Sequence, residues 1–181
     1  MTLVAFVDSL QRQAVDQVAF YPLSALIGAV DRGEIVTSFE NGEPCGYLWR
    51  GPARAGRDLV IYQAVVHYDL RRRLHGAEMV QAVVALGESA GCTAVRLRCR
   101  ASIDANDFWR AMGFVCTGIR KGGVRRGGEV NDWRRDLVAT LFDVSMPPST
   151  APDQRHLYVP GGHGSRWDRT ARSRRHGPDA A

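Results

Sequence analysis

A nearly unbroken apolar segment, DLVIYQAVVH at 58–67, leads through DLRRRLHG at 69–76 into a helical pattern. A strand with apolar residues on both faces predicts a central place in a sheet that other elements cover on both sides. Residues 75–90 then carry apolar side chains at helical spacing, and Gly91 ends the pattern. The chain therefore contains a predicted strand, a short basic turn and a helix, which together form part of an α/β layer.

Further patterns on both sides of this unit predict alternating helices and strands. Asn41-Gly42 supplies the positive φ angles of a tight hairpin, and residues 93–100 alternate strictly between apolar and arginine side chains. The order predicts an α/β fold without internal repeats. The predicted elements are helices at 9–20 and 23–33, strands at 34–40, 45–51 and 58–67, a helix at 75–90, a strand at 93–100, a helix at 101–114, and strands at 114–120 and 129–143.

The composition changes at Pro147. Residues 147–181 are rich in Pro, Gly, Ser and Arg and have no apolar period, so we expect a disordered tail after one folded domain at 1–146. The net charge of the chain is +5, and residues 151–181, with six Arg and three Asp, contribute +3 of it. The folded domain is therefore only weakly basic.

No segment of the sequence predicts a leader or a membrane span. No run approaches the ~18 apolar residues of a spanning helix, and the start MTLVAFVDSLQRQ lacks a basic segment before a long apolar core. Cys45, Cys92, Cys99 and Cys116 have neither C-x-x-C spacing nor metal-binding spacing with histidine. We expect a cytoplasmic protein with free thiols, no metal and no membrane partner.

The junction between the apolar strand and the helix has the residues of an anion site. The first turn of a helix leaves backbone N–H groups unpaired, and the helix dipole adds positive charge there. Arginines at the same place add bidentate contacts to phosphate. A solvated basic turn before an ordinary helix is the alternative. The predicted phosphate cradle consists of Arg71, Arg72, Arg73, Leu74, His75, Gly76 and Ala77.

This junction and a second motif resemble the GNAT acyltransferase family. The pyrophosphate loop of the family reads Q/R-x-x-G-x-G/A directly after its fourth strand, and Arg71, Leu74 and Gly76 occupy the three marked positions in RRRLHG. About 30 residues later the family places an alanine, an aromatic pair three residues on, and then Gly-Phe. The residues that match this second motif are Ala105, Phe108, Trp109, Gly113 and Phe114.

The resemblance covers about residues 5–143 and implies a mixed, mostly antiparallel central sheet, flanked by helices, with a splayed central strand pair. It implies that acetyl-CoA, the acyl donor, lies across the splayed strands with its pyrophosphate on residues 71–77. It further implies that the acyl group passes to an amine of a small molecule or a protein, with the backbone N–H of Val65 or Val66 as the oxyanion donor. Other cofactor contacts are expected from Ser102, Asn106 and Trp109.

The sequence departs from the family pattern at three positions. Leu74 stands where the loop usually has its first glycine, and Ser102 stands where an asparagine often contacts the cofactor. Trp109 stands where many members place a tyrosine that protonates the departing thiolate. Because an indole N–H only donates a hydrogen bond, Trp109 is no general acid at neutral pH.

Several residues are candidates for proton transfer or for the acceptor pocket, each with a structural alternative. His67 and Asp69 follow the central strand, where ligand sites of α/β sheets tend to lie, but they can also be a surface residue and a helix cap. Cys99 and Cys116 are acids or nucleophiles only if their thiol pKa values are shifted, and otherwise inert. Tyr62 and Gln63 either line the acceptor pocket or pack in the core.

Arginines on one face of the strand at 93–100 suggest an acidic substrate or nucleic acid as a partner. Arg96, Arg98 and Arg100 share that face, and both the loop at 120–128 and the tail add more basic residues. Pairing with neighbouring carboxylates is the alternative. Two other functions therefore stay open: DNA base modification, as in the bacteriophage Mom group that shares the fold, and nucleic-acid binding by a degenerate GNAT fold.

Overall fold

The computed structural model describes residues 1–122 and 127–137 and the backbone of Leu157–Tyr158. Within these residues the chain forms four α-helices and seven strands, and a 3-10 turn, Tyr68–Leu70, precedes the third helix. The elements in chain order are α1 (Leu3–Gln13), α2 (Leu23–Asp31), β1 (Ile35–Glu40), β2 (Glu43–Arg50), β3 (Asp58–Val66), α3 (His75–Ser89), β4 (Ala94–Arg100), α4 (Ala105–Ala111), β5 (Val115–Lys121), β6 (Glu129–Asp136) and β7 (Leu157–Tyr158).

The strands form a single sheet in the order β5-β6-β4-β3-β2-β1-β7. All neighbouring strands are antiparallel except β3 and β4, which run parallel at the centre. The helix α3 supplies the crossover that a parallel pair requires. This topology confirms the predicted mixed, mostly antiparallel sheet, and it confirms that the apolar strand at 58–67 is central.

The sheet carries a hydrophobic core on each face because side chains alternate along its strands. On β2, Leu48 packs in the core beneath α3 and α4, whereas Tyr47 and Trp49 pack beneath α1 and α2. The first core is the larger, and it includes Trp109 and Trp133. Two helices therefore cover each face, which accounts for the apolar character of β3 on both sides.

The first helix lies earlier in the chain than the sequence analysis predicted. We expected a helix at 9–20, but α1 spans Leu3–Gln13, and residues 14–22 form the connection to α2. Thr2 caps the helix, because its Oγ1 accepts a hydrogen bond from the backbone N–H of Ala5 at 3.3 Å. The prediction missed this cap and the apolar stripe that follows it. The buried residues of the stripe are Phe6, Val7 and Leu10.

Part of the predicted tail pairs with the sheet. Leu157–Tyr158 forms the edge strand β7 opposite Thr37 and Ser38 of β1, a pairing that the predicted tail at 147–181 did not include. The average composition of 35 residues does not reveal an apolar pair as short as this one. The pair forms a strand because the edge strand β1 offers unpaired backbone N–H and C=O groups. The rest of the tail, the end of the strand predicted at 129–143, and residues 123–126 lie outside the described residues. No helix in the described ranges is long and apolar enough to cross a bilayer.

Candidate functional site

The two central strands separate from each other halfway along their length. The β3–β4 ladder runs from Asp58–Ala94 to Ile61–Leu97 and ends there. At the same place Tyr62 forms a bulge, because Trp49 of β2 pairs with Gln63 and the next residue of β2 pairs with Ile61. The last five residues of β3 and the last three of β4 therefore line an open wedge.

The register of β3 decides which backbone groups face the wedge. The N–H of His67 donates to Cys45 O at 2.8 Å, and antiparallel ladders alternate, so Val65 directs its N–H and C=O toward β2. Ala64 and Val66 direct theirs toward the wedge, where no described strand pairs with them. Of the two predicted oxyanion donors, Val66 has the suitable orientation.

The turn between β3 and α3 has an unusual backbone. Arg72 and Leu74 both have positive φ angles, +64° and +69°, and Leu74 is the residue before the first turn of α3. Such left-handed conformations curl the chain so that successive N–H groups point to one side, as in anion-binding turns. The predicted cradle at 71–77 therefore has the backbone shape of a phosphate site, with leucine in a conformation that favours glycine.

We expect Leu74→Gly to raise the free energy of unfolding by about 1 kcal/mol, because an L-residue in the left-handed region costs about 1–2 kcal/mol. Leu74 is 69% exposed, so its side chain contributes little burial. Urea unfolding measures the change. Leu23→Gly is the matched control, since Leu23 is 50% exposed at the start of α2 and should lose stability. Equal losses in both variants would contradict this explanation.

Glu40, at the end of β1, holds two residues of the cradle. Its carboxylate accepts from Arg73 Nη1 at 2.6 Å, and its other oxygen lies 2.7 Å from His75 Nε2. The hydrogen bond with His75, then the one with Arg73, lowers the pKa of Glu40 below its ordinary value. The positive charge of Arg73 is thus paired with Glu40. The sequence analysis missed this contact because 33 residues separate the two partners.

The other two arginines of the turn differ in their contacts. Arg71 Nη2 donates to Gln17 Oε1 at 3.0 Å, and its guanidinium lies 5.2 Å from the Tyr68 ring centre. Arg72 is exposed and has no side-chain partner among the described residues. Arg71 therefore joins the cradle to the α1–α2 connection, and Arg72 is the arginine whose charge is available.

The two sequence motifs meet at Gly76. A Cβ atom added at Gly76 would lie 3.3 Å from Cζ of Phe108, closer than most real contacts. Phe108 in turn packs edge-on against Trp109, with ring centres 5.0 Å apart, and Trp109 against Phe114 at 5.5 Å. Gly76 thus brings the start of α3 against the aromatic side chains of α4, on one side of the wedge.

Trp109 and Cys99 lie together at the wedge and line the adjoining cleft. Burial raises the pKa of Cys99 to about 11, although a hydrogen bond with Trp109 opposes the shift. The thiol is therefore protonated and unreactive at neutral pH. This favours the inert interpretation of Cys99 over a nucleophilic one.

Trp109→Phe is expected to keep kcat within roughly tenfold, about 1.4 kcal/mol of barrier, because tryptophan has no acidic proton to lose. Phenylalanine also keeps the packing on Phe108 and Phe114. Steady-state kinetics of acyl transfer to an acceptor amine, the activity that the family resemblance implies, measures the effect. Trp109→Tyr is the companion variant, and a gain in kcat there would indicate a site that lacks its acid. A large fall in kcat for Trp109→Phe at unchanged KM would contradict our assignment.

Asn106 has a structural role at the end of β4. Its Nδ2 donates to Arg100 O at 2.8 Å and Ile103 O at 2.7 Å, and its Oδ1 accepts from Asn131 and from Trp133 Nε1 at 3.1 Å. These bonds tie the end of β4 to α4 and β6. Its predicted contact with the cofactor, and that of exposed Ser102, stay predictions.

His67 and Asp69 stand apart from the cleft. His67 Nδ1 lies 3.7 Å from Asp69 Oδ2, and both side chains are solvent-accessible. Neither residue is part of the cleft lining. Their catalytic role stays a prediction, and the surface interpretation agrees with their position.

A buried amide network fixes the α1–α2 connection against β3. Gln63 Oε1 accepts from the Tyr47 hydroxyl at 3.0 Å, and Gln63 Nε2 donates to Ala19 O and to Gln11 Oε1. Gln11 also bonds to both backbone groups of Tyr21 at about 3 Å. Gln63 both lines the cleft and packs in the core, the two alternatives that the sequence left open. Gln11 was missed because 52 residues separate it from Gln63.

A cleft of about 1530 Å³ opens from the wedge between the α1–α2 connection and strands β4, β5 and β6. Its wall includes Phe20 and the bulged Tyr62, and its floor carries the predicted arginine face of β4. The arrangement is thus a strand edge that no described strand pairs with, a turn with two left-handed residues beside it, and a roomy basic cleft in front. The charged residues of the lining are Asp58, Arg96, Arg98, Arg100, Arg120, Asp132 and Arg134.

Comparison with known proteins identifies similar sequences and structures. Residues 4–114 match the model of the acetyltransferase (GNAT) family. A search of curated protein sequences gave no match. The chain is similar in structure to Ard1 from Thermoplasma volcanium, with a TM-score of 0.65 and 18% identity over 75% of this chain and 92% of that protein.

Two further solved structures have the same fold at low identity. One is the ribosomal-protein-S18-alanine N-acetyltransferase from Escherichia coli, with a TM-score of 0.62, 13% identity, and coverage of 76% of this chain and 89% of that one. The other is aminoglycoside 6'-N-acetyltransferase complexed with coenzyme A, with a TM-score of 0.61, 12% identity, and coverage of 76% and 92%. At these identities the likeness shows the fold.

Proposed function

The chain belongs to the GNAT acetyltransferase family, and from this premise we propose that it transfers the acetyl group of acetyl-CoA to an amine of a small molecule or a protein. Membership confirms the prediction of an acetyltransferase and of acetyl-CoA as its donor. The observation that carries the proposal is the open wedge between β3 and β4, which lies between the predicted phosphate cradle and the basic cleft.

The residues at the wedge fit acetyl-CoA. The turn at 71–75 and the start of α3 offer backbone N–H groups to a pyrophosphate, and the guanidinium of Arg72 has no partner among the described residues. Gly76 leaves space beside Phe108 that a side chain would fill. We therefore assign the pyrophosphate to residues 71–77 and the arm that ends in the thioester to the edge of β3.

When bound, acetyl-CoA supplies a thioester whose carbon–sulfur bond is exchanged for a carbon–nitrogen bond, and the proton lost by the amine ends on the released thiol. The Val66 N–H faces the wedge and is our candidate donor to the carbonyl oxygen. Buried Trp109 and Phe108, which packs edge-on against it, place apolar side chains on the side of α4. The acceptor amine enters from the cleft in front of Tyr62.

The proposal is tested with the purified full-length chain, acetyl-CoA and a panel of primary amines that includes peptides. Release of free thiol and mass spectrometry of the acceptor measure transfer, and calorimetry measures CoA binding. We expect CoA to bind and at least one amine to gain the mass of an acetyl group in place of a hydrogen. CoA binding without transfer to any amine would indicate a degenerate GNAT fold that binds the cofactor but does not catalyse transfer. Failure to bind CoA would contradict the proposal.

DNA base modification of the Mom type is the second candidate, and the basic cleft is the observation behind it. None of the similar proteins named above is described as acting on DNA. Mass spectrometry of nucleosides from an expressing cell separates the two functions. A modified base would favour the second candidate, and unmodified DNA together with acetylated amines would favour the first.

We propose that the protein works in the cytoplasm. Its four cysteines are all free thiols, and three of them are buried. Reducing compartments keep thiols in this state. Fractionation of the native host measures the location, and recovery of the protein outside the cytoplasm would contradict the proposal.

A further inference from the structure

The basic floor of the cleft indicates what kind of amine the enzyme accepts. We propose that the acceptor is an amine that carries carboxylate groups close to its nitrogen, as in an acidic peptide amino terminus or an amino dicarboxylic acid. This inference rests on the proposed acetyl transfer to an amine and names the substrate class of the same site. It is supported by the excess of arginine over aspartate in the cleft lining and by the pattern of ion pairs between these residues.

Positive charge exceeds negative charge in the described lining. Five arginines and two aspartates are its charged side chains, which leaves three positive charges in excess. Each aspartate is shared between two arginines. Asp58 lies 2.9 Å from Arg134 and 3.7 Å from Arg96, and Asp132 contacts both Arg98, at 3.2 Å, and Arg120. The pairing that the sequence analysis gave as an alternative therefore exists. Asp136, which is not part of the lining, also lies 2.7 Å from Arg134, and this leaves two positive charges in excess.

Arg100 is the arginine whose charge is available at the wedge. It ends β4, beyond the point where the β3–β4 ladder stops at Leu97. Its side chain makes no hydrogen bond or ion pair with the part of the chain that the structure describes, although the residue is half-buried. A half-buried guanidinium that faces the acceptor side of the wedge is a site for a carboxylate, which it can bind in a bidentate manner.

The same charges help the acceptor to react. An ammonium cannot attack a thioester, and the described lining of the cleft contains no histidine or glutamate that could serve as a base. Burial alone would raise the pKa of Asp58, but a hydrogen bond from Thr93 and the charges of Arg134 and Arg96 lower it. An excess of arginine favours the neutral amine, because nearby positive charge lowers an ammonium pKa. The acceptor's carboxylates bind the arginines and so offset the unfavourable free energy of placing its ammonium group beside these positive charges.

The geometry favours a compact carboxylate-bearing amine over a nucleic acid. A phosphate backbone needs a continuous row of available cations, whereas aspartates alternate with arginines in this lining. The arginines also lie on the floor of a cleft whose wall includes Phe20 and Tyr62. An end of a chain or a small molecule can enter such a cleft more readily than a duplex.

The test compares short peptides that share a free amino terminus and length and carry two glutamates, two glutamines or two lysines next to it. Binding to the full-length protein is measured by calorimetry with CoA present, and acetylation is measured separately. Free glutamate, a phosphoserine peptide and a single-stranded oligonucleotide complete the panel. We expect the glutamate peptide to bind at least roughly tenfold more tightly than the glutamine peptide, and the lysine peptide to bind worst.

Arg100→Gln should remove most of that preference, because it deletes a charge without breaking an ion pair. Arg54→Gln is the matched control, since Arg54 is exposed and outside the cleft. Equal binding of glutamate and glutamine peptides would overturn the inference, and so would tighter binding of the phosphopeptide or the oligonucleotide. These binding results decide the inference even if no peptide is acetylated, an outcome that would count against the proposed function alone.

Discussion

Replacing Gly76 with tryptophan is expected to abolish CoA binding, with Kd raised by roughly a hundredfold or more, equivalent to about 2.7 kcal/mol. The backbone at the start of α3 must approach the pyrophosphate closely, and a large side chain there blocks it. The opposite side is closed as well, because a Cβ at Gly76 would already lie 3.3 Å from Phe108. Calorimetric titration with CoA measures the loss.

Gln81→Trp is the matched control for this substitution. It adds the same side chain to an exposed position of α3 and should leave CoA binding unchanged. Thermal unfolding shows whether each variant is folded. If Gly76→Trp does not fold, Gly76→Ala is the substitute, and we expect several-fold weaker binding because Phe108 must shift by a few tenths of an ångström. CoA affinity equal to that of the wild type in a folded Gly76→Trp protein would refute the assigned pyrophosphate site.

Gln63→Leu is expected to lower the free energy of unfolding by about 2–4 kcal/mol. The change keeps a side chain of similar size but leaves the Tyr47 hydroxyl and Ala19 O without their partners, and each unsatisfied buried group costs about 1–3 kcal/mol. The α1–α2 connection should loosen, so KM for the acceptor should rise more than KM for acetyl-CoA. Urea unfolding and steady-state kinetics measure the two effects.

Two comparisons make the Gln63 result interpretable. Gln13→Leu alters an exposed glutamine of α1 and should change stability by no more than about 0.5 kcal/mol. Tyr47→Phe combined with Gln63→Leu removes both members of one hydrogen bond, so the double variant should lose less than the sum of the single variants. Strict additivity would mean that the bond between Tyr47 and Gln63 contributes little.

The sequence could predict those parts of the fold that depend on neighbouring residues. The strand at 58–67, the turn and the start of α3 at His75 were predicted correctly, because apolar patterning and a glycine stop signal are local. The start of α1 depends on a single cap, Thr2, which the apolar spacing at 9–20 does not indicate. The edge strand β7 depends on an open partner strand, which no local pattern reveals.

The same distinction between local and long-range determinants applies to the residues of the candidate site. The motifs located Gly76 and Trp109, and the structure then brought them together through Phe108. Glu40 and Gln11 were not predicted, because each acts on a partner 33 or more residues away. Which of Val65 and Val66 faces the wedge also required the pairing with β2. Residue type can thus suggest a chemistry, whereas register and long-range pairing decide which atoms are available for it.

Because of the bulge at Tyr62, the site depends on the number of residues in β3 rather than on which residue stands at position 62. In a regular strand, residues i and i+2 lie on the same face of the sheet. Here Ile61 packs beneath α3 and α4, whereas Gln63 bonds with Tyr47 on the opposite face. The extra residue shifts the phase of β3 by one position. Deletion of Tyr62 would make Ile61 and Gln63 adjacent in a regular strand, so both would keep their present faces, but it would remove the bulge at which β3 parts from β4. Length at this point of the strand is therefore under tighter constraint than the side chain that supplies it.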